Sequence, residues 1–179
     1  FMEKAIKKRW PIFVLPTLIA FMALFNRKEF TKTLNHICIS GECMHEEVGK
    51  KIRTAFPKCN IYHVYGLTEA SPRVSYLPPE YFADYPDCVG IPLKSVSIKI
   101  LNNNGLPCNK NEEGILYIKG ENVMMGYYNE PRKTRKVLKD NWLCTGDIAF
   151  INDAGFLKIK GRNDDLITDG ALYPMAVFI

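Results

Sequence analysis

The chain has no Cys-x-x-Cys pair, only three histidines and two tryptophans, and no apolar run of the roughly 18 or more residues that span a bilayer as a helix. Its six cysteines (Cys38, Cys43, Cys59, Cys88, Cys108 and Cys144) are spread along 179 residues. A chain of this length can bury a core without disulfide staples, so buried free thiols in a reducing cytosol are expected. His36, His45 and His63 fit no metal-ligand spacing, and His45-Glu46-Glu47 is not the His-Glu-x-x-His helix of zinc proteases. That excludes a zinc reading, and each histidine is expected to be structural. Internal repeats and low-complexity tracts are lacking too, which excludes a repeat array.

What is present is an ordinary globular composition, 47% hydrophobic and 24% charged, with room for one domain or one and a half small ones. The net charge of +5 is modest. The densest basic runs, Lys4/Lys7/Lys8/Arg9 and Arg132/Lys133/Arg135/Lys136/Lys139, fall at helical spacing without interleaved aromatics. Solvated helix faces are therefore expected, with no nucleic-acid partner. Pro11 to Phe25 is apolar and follows a basic stretch, as in a signal peptide, but Pro16 interrupts it and no small-residue cleavage site follows. A buried strand ending at Leu15 and a helix starting near Pro16-Thr17 is the better account. The expected setting is the cytoplasm, with no membrane span.

Strand and helix patterns alternate through the first half. Met2 to Arg9 suits the end of a helix, Ile12 to Leu15 a buried strand, Thr17 to Phe25 a helix, and Phe30 to Leu34 a turn. His36 to Ile39 is a short apolar run closed by Ser40-Gly41, as in a fully buried parallel strand. Glu46 to Phe56 carries apolar positions at helical spacing, and Asn60 to Val64 reads as the next strand. This order predicts a parallel α/β sheet. Past Pro92 the texture changes. Ser95 to Leu101 and Gly114 to Lys119 alternate, with Asn102-Asn103-Asn104-Gly105 as a hairpin turn. Pro131 to Leu138 suits a helix with Pro in its first turn, and Asn152-Asp153-Ala154-Gly155 joins strands at Ile148 to Ile151 and Phe156 to Ile159. The fold class expected is α/β: the end of a parallel α/β sheet domain over 1–92, then an antiparallel β-rich subdomain over 93–163.

Three motifs carry chemistry. Tyr65-Gly66-Leu67-Thr68-Glu69 follows a predicted parallel strand, where ligands bind in open α/β sheets. It supplies an aromatic face for a base, a Gly that lets backbone approach a ligand, a hydroxyl for a phosphate oxygen and a carboxylate for hydrated magnesium. A plain Thr-Glu helix start is the structural alternative. Thr145-Gly146-Asp147 offers a carboxylate that can accept from both hydroxyls of a ribose, or an Asp that caps a turn before the strand at Ile148. The third motif is Gly161-Arg162-Asn163-Asp164-Asp165, a solvated polar loop in its plainest reading.

In this order and at these gaps the motifs resemble the superfamily of adenylate-forming enzymes: acyl-CoA and aryl-CoA synthetases, peptide-synthetase adenylation domains and luciferases. The resemblance runs from about Pro11 to Pro174 and includes Gly114 to Gly120 and Gly126-Tyr127-Tyr128, read as a strand and a packed aromatic pair. It implies a nucleotide-binding set of Gly41, Glu42, Tyr65, Gly66, Thr68, Asp147 and Arg162, with Thr68 and Glu69 catalytic and Glu69 the magnesium ligand. Within that set Tyr65 lies against adenine, the Gly41-Glu42 turn beside it, Thr68 on the α-phosphate and Asp147 on the ribose. Arg162 reaches the ribose and phosphate region, while Gly66 and Leu67 border the acyl pocket. Asp164 matches the hinge of a small C-terminal domain, so 164–179 is expected to be the hinge and the shortened start of that domain. The substrates implied are ATP, a small carboxylic acid and a thiol, either CoA or a carrier protein's. Ala70-Ser71 after the first motif, and Asp164-Asp165-Leu166-Ile167, look more like acyl-CoA synthetases than peptide-synthetase domains.

Two family elements have no counterpart in this chain: a Ser/Thr/Gly-rich loop for the β- and γ-phosphates, and a catalytic lysine. Thr168 also stands where the family usually has Lys. The expectation is therefore part of a larger enzyme, inactive by itself. The rival expectation is a non-catalytic remnant that binds AMP or serves as an interaction module.

Overall fold

In the computed structural model, residues 12–14 and 34–163 are described. The helices expected at Met2 to Arg9 and Thr17 to Phe25, the turn before Leu34, the hinge at Asp164 and the tail from Asp165 lie outside the described residues. The chain divides into two compact units, the first containing 34–65 and 76–90 with Ile12–Val14, the second 66–75 and 91–163. The architecture is mixed α/β, with one sheet containing parallel strands and the other antiparallel.

In the first unit, β1 (Ile12–Val14), β2 (His36–Ile39) and β3 (Asn60–Tyr65) are parallel neighbours, with Ile37 opposite both Ile12 and Ile61. The short β4 (Ser75–Leu77) follows β3 in the sheet order. Ile37, Ile39 and Ile61 are wholly buried, as strands covered on both faces require. Helix α1 (Glu46–Ala55) makes the crossover between β2 and β3 and buries Ile52, with Phe56 just beyond its end. Glu46 and Glu47 stand in its first turn and Arg53 in its last, matching the helix dipole. The Arg53 guanidinium donates to the carbonyls of Phe56 and Cys59, closing the helix end. The apolar spacing predicted this helix to within one residue.

His63 is buried in β3, and loss of hydration pulls its pKa down to about 4 despite hydrogen bonds with the Cys88 and Pro86 backbone. It is a neutral core residue, as expected from its spacing.

The second unit contains β5 (Ile91–Pro92), β6 (Val96–Leu101), β7 (Gly114–Gly120), α2 (Pro131–Val137), β8 (Leu138–Lys139), β9 (Trp142–Ile151) and β10 (Leu157–Arg162). Its sheet runs β10-β9-β7-β6, antiparallel throughout, with β8 paired to β9. Asn102 and Gly105 form the predicted tight turn: the Gly105 N–H donates to the Asn102 carbonyl at 2.9 Å and the Asn102 Oδ1 accepts from Asn104 and Leu106. The returning arm is not β7, however. Pro107 bridges Leu101, and a second turn at Asn109 to Glu112 precedes β7. The Asn152–Gly155 turn does join β9 directly to β10. Among the described residues no helix is long and apolar enough to cross a membrane.

Candidate functional site

Gly41 and Glu42 follow β2, and Tyr65 is the last residue of β3. Because β2 and β3 run parallel with Ile39 opposite His63, both features stand at the carboxyl edge of the first unit's sheet, the edge where open α/β sheets bind ligands. Gly41 has a φ of 93° and, like Glu42, is exposed, whereas Tyr65 is half-buried. Tyr65 belongs to the strand rather than to the turn after it.

The remaining residues of the first motif belong to the second unit. Gly66 is packed against its own loop, since a Cβ there would collide with the Pro72 carbonyl. The missing side chain therefore serves loop closure. Thr68, Glu69 and Ala70 form a single 3-10 turn. Thr68 and Glu69 thus open a short helical turn, as in the structural alternative, but the capping position is held by Leu67, with no side-chain cap. Thr68 is exposed and Glu69 half-buried.

Glu69 is fastened at two points by residues far along the chain. Its carbonyl accepts from the Met124 N–H at 2.8 Å, and its carboxylate Oε1 accepts from the Tyr127 hydroxyl at 2.8 Å. The neighbouring backbone is held as well: the Asn122 side-chain amide donates to the carbonyls of Ala70, at 2.6 Å, and Arg73, at 3.3 Å. Burial first, then the hydrogen bond and charge of Glu69, push the Tyr127 phenol up to about 12, while the Arg162 charge opposes them. Tyr127 is thus a protonated donor at neutral pH, within electrostatic reach of both Glu69 and Arg162.

Thr145-Gly146-Asp147 lies inside β9 rather than in a turn ahead of the strand. Ile115 pairs with Ile148 and Tyr117 with Cys144, so three residues of β9 stand against the single residue Leu116. This bulge explains the motif. Thr145 Oγ1 donates to the Leu116 carbonyl at 3.0 Å and accepts from the Asp147 N–H at 3.0 Å. Gly146 takes a φ of 75°, a left-handed conformation costly for residues with a Cβ. Asp147 is buried as a result, only 8% exposed.

A second bulge, between Ile159 and Gly161, brings Arg162 opposite Asp147. Arg162 is the last residue of β10 rather than part of a polar loop beyond the strand. Its Nε lies 3.8 Å from Asp147 Oδ1, and its side chain is 46% exposed against 12% for that of Asp147. Two strand irregularities therefore set a buried carboxylate beside a half-exposed guanidinium. Such a pair can accept from a diol and attract an anion side by side.

The donor set suits magnesium in one way only. Among the described residues no three His, Cys, Asp or Glu side chains converge on a common point. Glu69 could offer one hard oxygen ligand, which would fit a cation that keeps its waters and takes its other ligands from phosphates.

Sequence reasoning missed Asn122 and the parts played by Tyr127 and Thr145. The sequence suggests a packed aromatic pair at Tyr127-Tyr128, yet Tyr128 is 63% exposed and Tyr127 turns to Glu69. No local pattern announces a contact between residues 58 positions apart.

Comparison with known proteins gives a consistent result. The AMP-binding enzyme family matches residues 11–128. A long-chain-fatty-acid–CoA ligase of Yersinia pestis is 36% identical over 151 residues, covering 82% of this chain and 26% of the ligase. A 2-succinylbenzoate–CoA ligase of Bacillus velezensis is 37% identical over 127 residues, covering 70% of this chain and 25% of that protein. Among solved structures, the O-succinylbenzoate coenzyme A synthetase of Bacillus subtilis, in complex with ATP and a magnesium ion, superposes with a TM-score of 0.78 at 26% identity, covering 94% of this chain and 35% of that one. The chain spans about a quarter of the length of the curated relatives it matches.

Proposed function

Because the chain belongs to the AMP-binding enzyme family, the adenylate-forming enzymes, we propose that it is part of an enzyme that activates a carboxylic acid with ATP and passes the acyl group to a thiol. A carboxylate oxygen attacks the α-phosphorus, pyrophosphate leaves, and an acyl-AMP remains. A thiol then attacks the acyl carbon and releases AMP. The relatives named as CoA ligases favour CoA over a carrier protein as the thiol source.

In this reading Thr68 donates to the α-phosphate and Glu69 ligates magnesium, which when bound offsets phosphate charge. Asp147 accepts from the ribose hydroxyls, and Arg162 faces the ribose and phosphate. In the first unit Tyr65 lies against adenine, with Gly41 and Glu42 beside the base. Gly66 contributes through its loop, close to the acyl group. Asp164, the hinge in this reading, lies outside the described residues. The parallel-sheet unit corresponds to the distal part of the nucleotide-binding domain and the antiparallel sheet to its β-rich subdomain.

The observation that carries the proposal is the β9 bulge. A strand that buries an aspartate beside an arginine, with an interruption in pairing on either side, supports a ligand-binding role for the pair. If Asp147 holds the diol, Asp147→Ala weakens AMP binding by roughly 2–4 kcal/mol, the loss of two charge-assisted bonds partly replaced by water. In a protein that carries this chain at full length, titrations with AMP and 2′-deoxy-AMP separate the roles. The parent prefers the ribose and the mutant does not. An undiminished ribose preference in the mutant would return Asp147 to a structural role and favour a non-catalytic remnant.

A further inference from the structure

Tyr127 is fixed at both ends. Its N–H donates to Thr134 Oγ1 at 2.9 Å, and its hydroxyl donates to Glu69 Oε1 at 2.8 Å. Thr134 in turn donates to the Glu130 carbonyl at 3.1 Å, in the first turn of α2. Gly126 has no room for a side chain: a Cβ would come within 2.8 Å of Thr134 Cγ2. The loop before α2 is therefore pressed onto the helix, and Tyr127 leaves it at a fixed angle. Two further bonds, from Met124 to the Glu69 carbonyl and from Asn122 to the Ala70 carbonyl, hold the same loop against the Thr68–Ala70 turn. A half-buried tyrosine that only packed could satisfy its hydroxyl with water. This one spends it on a carboxylate.

We propose that Tyr127 is a positioning residue for magnesium and nucleotide binding: its hydroxyl engages Glu69 Oε1 and orients the carboxylate that would hold the cation. The inference rests on the reading of Glu69 as the cation's carboxylate. A carboxylate already held before the ion arrives loses less freedom on binding, and partners that orient a metal ligand commonly change metal affinity by about 10–100-fold. A cation held there would also take ligands from phosphates, so an effect near the lower end, about tenfold, is expected. Thr134 and Gly126 act one step further out, by fixing the backbone from which Tyr127 reaches.

The test uses a protein that carries this chain at full length, with manganese as a paramagnetic stand-in for magnesium. Affinity for manganese in the presence of ATP is read by water-proton relaxation, without turnover. Tyr127→Phe should weaken manganese binding about tenfold and raise the magnesium requirement of adenylation by the same factor. The rate at saturating magnesium should stay within about twofold, because the phenol touches no reacting atom. In a Glu69→Gln background, Tyr127→Phe should add nothing. Thr134→Val should shift manganese affinity in the same direction by a smaller factor, and Thr134→Ser should restore it, which keeps the inference open to test if Tyr127→Phe folds poorly. Parent-like manganese affinity in a folded Tyr127→Phe protein, with Glu69→Gln weakened, overturns the positioning role and leaves the Glu69 reading standing. Parent-like affinity in Glu69→Gln overturns the Glu69 reading itself, and this inference with it.

Discussion

The two units place their polar residues differently. In the first, β2 and β3 bury Ile37, Ile39 and Ile61, and the residues with chemistry (Gly41, Glu42 and Tyr65) stand at or just past the strand ends. In the second, Thr145 and Asp147 are buried within the length of β9, on the face that also buries Leu143 and Ala149. A parallel strand covered on both faces has no place for a carboxylate except its end. An antiparallel strand can bring one inside if a bulge supplies its hydrogen bonds, as Thr145 does here. The exception in the first unit is His63, which is buried by giving up its charge.

The comparison is sharpened most by emptying the first unit's core. Ile52→Ala removes a wholly buried side chain between α1 and the sheet and should cost about 2–5 kcal/mol in chemical denaturation. A loss well under about 1 kcal/mol would mean that apolar packing is not what holds this unit. His63 comes next. Its folded pKa, about 4, lies below the ordinary 6.5, so on acidification the unfolded chain takes up the proton first. Its contribution is complete above pH 6.5 and lost progressively down to about pH 4, to an extent of up to about 3 kcal/mol. Replacing His63 with Gln should flatten stability against pH in that window. An unchanged profile would show that the ring is solvated in the native state.

In the second unit the expected effects are smaller. Thr145→Val keeps the shape but strips the Asp147 N–H of its acceptor and ends the bond to Leu116, at about 1–3 kcal/mol. A neutral result would mean that the bulge is held by the strands on either side rather than by Thr145. The smallest effect is assigned to Arg162→Ala. With its side chain 46% exposed and 3.8 Å from Asp147, it should change stability by no more than about 1 kcal/mol while weakening AMP binding measurably. A large loss of stability without a change in AMP affinity would make the pair structural.

Much of the fold was legible. Helix α1 was readable because an apolar residue recurs every third or fourth position and charges of the right sign sit at its ends. The turns at Asn102–Gly105 and Asn152–Gly155 were readable because Asn side chains and Gly at positive φ make their own local hydrogen bonds. The site motifs were legible as residue types in order. Their geometry was not: β9 begins at Trp142, and nothing local separates a turn that precedes a strand from a bulge within one.

The sequence by itself determined the elements whose stabilising contacts are close along the chain: strands of alternating or continuous apolar character, one amphipathic helix, and tight turns. It also determined the identity of the chemical groups, down to a carboxylate after Thr145-Gly146 and another after Leu67-Thr68. Only the tertiary structure decided that Asp147 faces inward beside Arg162, that Gly66 closes its own loop, and that Tyr127 reaches Glu69. The reason is physical. The placements of Asp147 and Tyr127 depend on register between strands or on a bond between residues tens of positions apart, and that of Gly66 on an irregular loop closing at Pro72; none of these imposes a periodicity on the residues around it.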